Sequence, residues 1–250
     1  MKKIFLAGFV VLIGIAAHAQ VDTTTRTEPT PPKKSARNDI DLSNRAGDHF
    51  LIQVGYDGWA NKPDSINTKG FSRSLNVYLM FDFPFKTNPS WSVAVGAGIG
   101  SSNIFFDKME VQVAGQTNTL RFVNQADTSH WKKFKLVSAY LEAPVELRFT
   151  ADPLNYNKSF KFALGAKVGT LLSIHTKAKN FQTRNEGAIN SYIRKESSKR
   201  YFNGTRLALT GRVGYGFISL FGTYQVNSFI KEGQGPDVKP YSIGLTISGL

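Results

Sequence analysis

Tyr140-Leu141-Glu142-Ala143-Pro144-Val145-Glu146-Leu147-Arg148-Phe149 decides the fold. From Val137 onward every odd position is apolar, while the even positions include Ser138, Tyr140, Glu142, Glu146 and Arg148. A period of two puts alternate side chains on opposite faces of a strand, so this segment faces two different solvents. It is also long enough to cross a bilayer, which takes a tilted strand of ~9 to 11 residues.

The pattern recurs in about eight segments. The first runs from His49 to Asp57, with Phe50, Ile52, Val54 and Tyr56 opposite Leu51, Gln53, Gly55 and Asp57. The second, Ser72 to Phe85, sets Leu75, Val77, Leu79, Phe81, Phe83 and Phe85 against Ser74, Asn76, Tyr78, Met80 and Asp82. The third, Trp91 to about Phe105, sets large apolar residues against Ser92, Ala94, Gly96, Gly98 and Gly100. The rest are Phe134 to Thr150, Phe160 to His175, Thr205 to Gly216, Phe217 to Phe229 and Lys239 to Ser248.

The connections between them alternate long and short, with long stretches at 58–70, 106–133 and 176–203. Transmembrane barrels have short periplasmic turns and longer external loops, so an even strand number with both ends in the periplasm fits. Aromatic pairs bracket the short turns: Phe85 with Trp91, Phe149 with Phe160, Tyr215 with Phe217. That is where an interfacial girdle belongs. The rival all-β reading is a soluble ligand-binding barrel with an apolar interior. Phe81, Phe83 and Phe85 would overfill such an interior, whereas the small residues of the third strand suit a crowded lumen. The predicted fold is therefore an antiparallel up-and-down transmembrane β-barrel of about eight strands, with a bulge or irregularity at Pro144 because proline removes a ladder hydrogen bond.

Ahead of the barrel, Lys2 and Lys3, the apolar run 4–15 and Ala17-His18-Ala19 read as a secretory signal peptide over residues 1–19. Residues 20–48 are rich in Thr, Pro, Lys and Asp and read as a disordered periplasmic linker. The barrel domain is expected over 49–250, and the localisation as the cell outer membrane. The chain has no cysteine, which excludes disulfides and thiolate metal sites. Its formal charge is +13, or +11 once Lys2 and Lys3 leave with the leader. For an exported protein the matching acidic partner is the phosphate-bearing lipid surface rather than nucleic acid.

Tyr140-Leu141-Glu142-x-Pro144, closing on Leu147 and Phe149, resembles the tyrosine-leucine-glutamate-x-proline strand of PorT-like outer-membrane barrels of Bacteroidota. Gly165-Ala166-Lys167-Val168-Gly169 is similar to the glycine-spaced strand that follows in those proteins, and Ala19-Gln20 to their cleavage junction. The resemblance implies an eight-stranded outer-membrane barrel and, for some relatives, a role in protein secretion across the outer membrane. Leu250 departs from the terminal aromatic common in such barrels, which shifts any assembly signal toward Tyr241, Ile243, Leu245 and Ile247.

Two sets of side chains carry the functional expectations. Asp82, Glu142, Glu146, Arg148, Lys167, Arg206 and Arg212 should meet in one narrow lumen and pair there. Lys177, Lys179, Arg184, Arg194, Lys195, Lys199 and Arg200 oppose only Glu186 and Glu196 in a basic external loop suited to lipopolysaccharide phosphates or an acidic partner. Stretch 106–133 contains Val111, Val113, Leu120, Phe122 and Trp131 and is expected to form an external hairpin able to extend the sheet. The competing class is a lipid-A-modifying enzyme centred on His175 with nearby Ser173, since base and nucleophile must come within hydrogen-bond reach. His49 and His130 lie elsewhere, and no motif supports catalysis or a cofactor; Gly96 to Gly100 has the wrong spacing and context for a dinucleotide site. The expectation is a non-enzymatic structural or partner-binding barrel, either a surface barrel using its loops or a secretion accessory, with outer-membrane lipid, lipopolysaccharide and secretion-machinery proteins as partners.

Overall fold

The computed structural model describes residues 49–248. The leader, the linker and Leu250 lie outside the described residues. Among the described residues there are eleven strands: β1 (Phe50–Ala60), β2 (Arg73–Pro84), β3 (Trp91–Phe106), β4 (Met109–Gln112), β5 (Arg121–Asn124), β6 (His130–Thr150), β7 (Phe160–Gln182), β8 (Ala188–Ser197), β9 (Thr205–Tyr215), β10 (Ile218–Gln225) and β11 (Lys239–Ser248). Eight of them close a barrel in the order β6-β3-β2-β1-β11-β10-β9-β7, with β7 returning to β6 and every neighbouring pair antiparallel. Closure leaves these strands no unpaired edge, a condition for crossing a bilayer.

The alternation falls as the sequence predicts. Leu75, Leu79, Phe81, Leu141, Val145, Leu164, Leu209 and Leu245 are exposed on the outside. Gln53, Asp57, Asn76, Glu142, Glu146, Lys167, Arg206 and Arg212 are buried inside. At the short-turn end the aromatic rings pack across neighbouring strands in pairs other than those bracketing each turn, Trp91 tilted against Phe149 at 5.1 Å and Phe160 edge-on to Tyr215 at 5.2 Å between ring centroids. The tightest turn passes through Gly216, whose φ of +61° is a left-handed conformation that a side chain would strain.

Pro144 carries no bulge, and the irregularity expected there is a local break in the ladder with β3. The register of Pro144 with Lys167 on β7 is regular, and on the β3 side the ladder skips Gly96 and Ala97 while keeping register. The register shift lies at Ala139/Tyr140, where β7 has an extra residue, Leu172, between Leu171 and Ser173. Below it the buried positions of β7 are odd: Lys161, Ala163, Lys167 and Leu171. Above it they are even: Ile174, Thr176 and Ala178. The inserted residue thus exchanges the two faces of the strand.

Two long connections also differ from expectation. Stretch 176–203 is mostly strand, because β7 runs on to Gln182 and turns back as β8. Stretch 106–133 does form a hairpin, but β4 and β5 make their own two-stranded sheet and do not extend the main one. At this end the polarity of the barrel reverses. Ile104, Phe134, Leu136, Ile174 and Ala178 are buried inside, and the hairpin's Met109 and Val111 join them with Trp59, Phe202 and Phe229 in one apolar cluster. Trp59 packs at 5.6 Å from Phe106 and 5.7 Å from Phe229. The outer face of the same strands carries Lys135, Lys177 and Lys179 instead of leucine and valine. The strands therefore continue past the apolar band into a cap built like a soluble domain, apolar within and charged without.

Candidate functional site

All seven predicted lumen residues come together, in two groups. The upper group centres on Glu142, whose Oε1 accepts Arg206 Nη1 at 2.8 Å while Oε2 accepts the Tyr78 hydroxyl at 2.5 Å and Lys167 Nζ at 3.1 Å. Lys167 also donates to the Tyr78 oxygen at 2.9 Å. The lower group centres on Glu146, which takes Arg212 Nη2 at 2.7 Å and Arg148 Nε at 3.0 Å on Oε2. Arg148 lies 3.7 Å from Asp82, and Asp82 accepts Ser92 Oγ at 2.7 Å. These charges are almost wholly removed from solvent, and buried ions are tolerated only when paired and hydrogen-bonded.

Tyr78 and Asp57 also belong to the lumen network, beyond the seven charged residues expected there. Tyr78 bridges Glu142 and Lys167, and Asp57 accepts Ser242 Oγ at 2.5 Å and Ser102 Oγ. Both sit on inward positions of an alternating strand, which was the signal available for including them. Side chains fill the lumen. A cavity beside Tyr140 and Arg206 and another beside Arg148 and Arg212 hold about 10 Å³ each, roughly the room of one water.

The seven basic residues separate into different roles. Arg194 is not a solvated loop residue: it pairs with Glu110 and lies 4.8 Å over the Trp131 ring, while Trp131 Nε1 donates to the same carboxylate at 3.1 Å. Lys199 donates to the Leu171 carbonyl at 3.1 Å, Arg200 lies over Tyr201, and Arg184 makes an exposed pair with Asp127 at 3.2 Å. Lys177, Lys179 and Lys195 stand on the outer face of the β7–β8 hairpin.

That face is organised in cross-strand rows. Phe105, Lys135, Lys177 and Lys195 are directly opposite one another across β3, β6, β7 and β8. The next row toward the apolar band runs Arg73, Asn103, Val137, His175, Ser197. Phe105 lies between two cations, 5.6 Å from Arg73 and 5.6 Å from Lys135. Desolvation, then Lys177 and Arg73, hold the Lys135 ammonium below its ordinary value. His175 is lowered from 6.5 by desolvation and then by Lys195, Lys135 and Lys177. His49 and His130 are on other parts of the barrel, His49 contacting the Met80 carbonyl and His130 the Thr128 carbonyl.

A closed barrel that is apolar outside, charged and filled inside, and continued by a soluble-type cap is an integral membrane β-barrel. Residues 35–230 match the family described as outer membrane protein beta-barrel domain, and the chain belongs to that family. No curated protein matched the chain.

Proposed function

We propose that this outer-membrane barrel is not an enzyme and not a pore, and that it works by presenting its rigid cap and turns to partners. The observation that carries this reading is the lumen network: with Glu142 and Glu146 each held by two cations, the interior is occupied by its own side chains. Activity then belongs to the outer surfaces. The PorT-like strand motif supports a finer role as an accessory of protein secretion, the chain reaching the outer membrane after removal of residues 1–19. The test compares the culture-supernatant and surface proteomes of a deletion strain and its parent. Loss of secreted cargo with an intact outer membrane supports the accessory role; unchanged secretion removes it.

A second reading, lipid A modification at His175 with Ser173, starts from their shared place near the outer edge of the apolar band. The charged groups that act on His175 are the cations Lys195, Lys135 and Lys177, whereas a general base is ordinarily oriented by a carboxylate. A His175→Ala strain is expected to keep its lipid A acyl profile; an altered profile would revive the enzymatic reading.

A further inference from the structure

The apolar outer band ends at Leu75 and Leu172, both about half exposed. One and two rows farther along the strands, at ~7 Å per row, stand Arg73 with His175 and then Lys135, Lys177 and Lys195. Lys135 is directly opposite Lys177, and Lys177 is directly opposite Lys195. Like charges opposed across a ladder destabilise a sheet. Among the described residues no carboxylate forms an ion pair with these three lysines, although the cap pairs Arg184 and Arg194. Phe105 of this row and the flanking Arg73 also line a groove of about 580 Å³, whose wall includes Phe71, Lys132 and Lys133, with Asp107 and Glu186 as its acidic members. Asp107 is already engaged by Lys69 at 3.1 Å.

We propose that the row Lys135, Lys177 and Lys195, with Arg73 at its flank, is a binding site for the phosphates of an outer-leaflet glycolipid headgroup. An anion at the row relieves the repulsion that the cross-strand lysines impose on one another. The depth fits the same ligand, since lysine stems lie along the strand while their ammonium groups reach the headgroup zone. Phe105, partly exposed, stands in the lysine row itself, and Phe71, exposed, lies two residues beyond Arg73, so both rings flank the phosphates at the level of the headgroup. The inference rests on the outer-membrane placement given above and adds the ligand's chemistry.

The test uses the mature protein folded into zwitterionic phosphatidylcholine nanodiscs, with insertion checked first by the shift in gel mobility on boiling. Diphosphoryl lipid A, dephosphorylated lipid A and inorganic phosphate are the probes, and retained lipid is quantified by mass spectrometry. The parent is expected to retain diphosphoryl lipid A. The triple variant Lys135→Gln/Lys177→Gln/Lys195→Gln is expected to retain at least about tenfold less, and a turn-end control, Lys86→Gln/Lys158→Gln, to match the parent. If the triple variant does not fold, Lys177→Gln alone is expected to lose several-fold. Equal retention by folded parent and variant, equal retention of dephosphorylated lipid A, or displacement by inorganic phosphate overturns the proposal. Absence of the gel shift in the parent would instead count against the membrane-barrel reading on which it rests.

Discussion

Arg206 on β9 and Glu142 on β6, 64 residues apart in sequence, meet inside the barrel at 2.8 Å, and Lys167 approaches the other oxygen of the same carboxylate. Three strands are thereby tied through one side chain. Removing the carboxylate charge leaves two cations in a nearly dry lumen with no full counter-ion. Glu142→Gln is expected to cost about 3 to 5 kcal/mol, measured as a lower urea midpoint in detergent. Glu142→Gln combined with Lys167→Met should recover part of that loss, because the second change removes one stranded charge; a double variant as weak as the sum of both singles would show that the two sites do not couple.

Gly98 faces Tyr78 across the β2–β3 ladder. A Cβ there would fall 2.4 Å from Tyr78 Cδ1 and 2.1 Å from the Val77 carbonyl. Gly98→Ala is expected to push the ring off its contact with Glu142 and to lower barrel stability, whereas Gly222→Ala, with open space at its Cβ, should be close to neutral. Equal midpoints for the two variants would contradict this account.

Ion flow gives a third check. In planar bilayers the purified protein is expected to show no steady channel conductance, since paired side chains occupy the lumen. Long-lived, uniform openings in the parent protein would rule out the filled-lumen reading.

The basic rows make His175 a reporter. Desolvation and then its three lysine neighbours hold it below 6.5, because each of these disfavours the imidazolium. Lys195→Gln removes one positive neighbour and is expected to raise the NMR titration midpoint of His175. Bound diphosphoryl lipid A should raise it further, since a nearby anion favours the charged ring. A midpoint that ignores both changes would place His175 away from the lysine row.

Deleting Leu172 tests the bulge. Without that residue Leu171 and Ser173, which already face Tyr140 and Ala139 on β6, become neighbours, so Ile174, Thr176 and Ala178 keep their inward positions and Lys177 its outward one. The expected result is an inserted barrel whose cap resists proteases as the parent's does. A cap that proteases cut readily would show that the bulge itself is needed to seat it.

The barrel and its lumen were legible because alternation between lipid and a polar interior writes itself directly into residue type. Glu142, Glu146, Lys167 and Arg206 could be assigned to one face without knowing their partners. The cap was harder to read for a physical reason. Beyond Tyr140 the two faces exchange solvents, so Phe134 and Leu136 point inward where Glu142 does, and Lys135 points outward where Leu141 does. Alternation persists there with its meaning reversed. Arg194 looked like one more solvated cation because its partner, Glu110, lies on a separate hairpin 84 residues away. The extra residue in β7 left no mark, since Leu171-Leu172 reads as an ordinary apolar pair.

That pair governs how the chemical alphabet is to be read in this strand. Lys167 and Lys177 are the same letter at the same parity, yet one is a strut in the barrel's interior and the other is a contact offered to the outside world. A search that tracked only parity would class them together and would look for the protein's binding surface in its sealed interior. In a barrel that outgrows its membrane, the count of residues between two lysines is as informative as the lysines themselves.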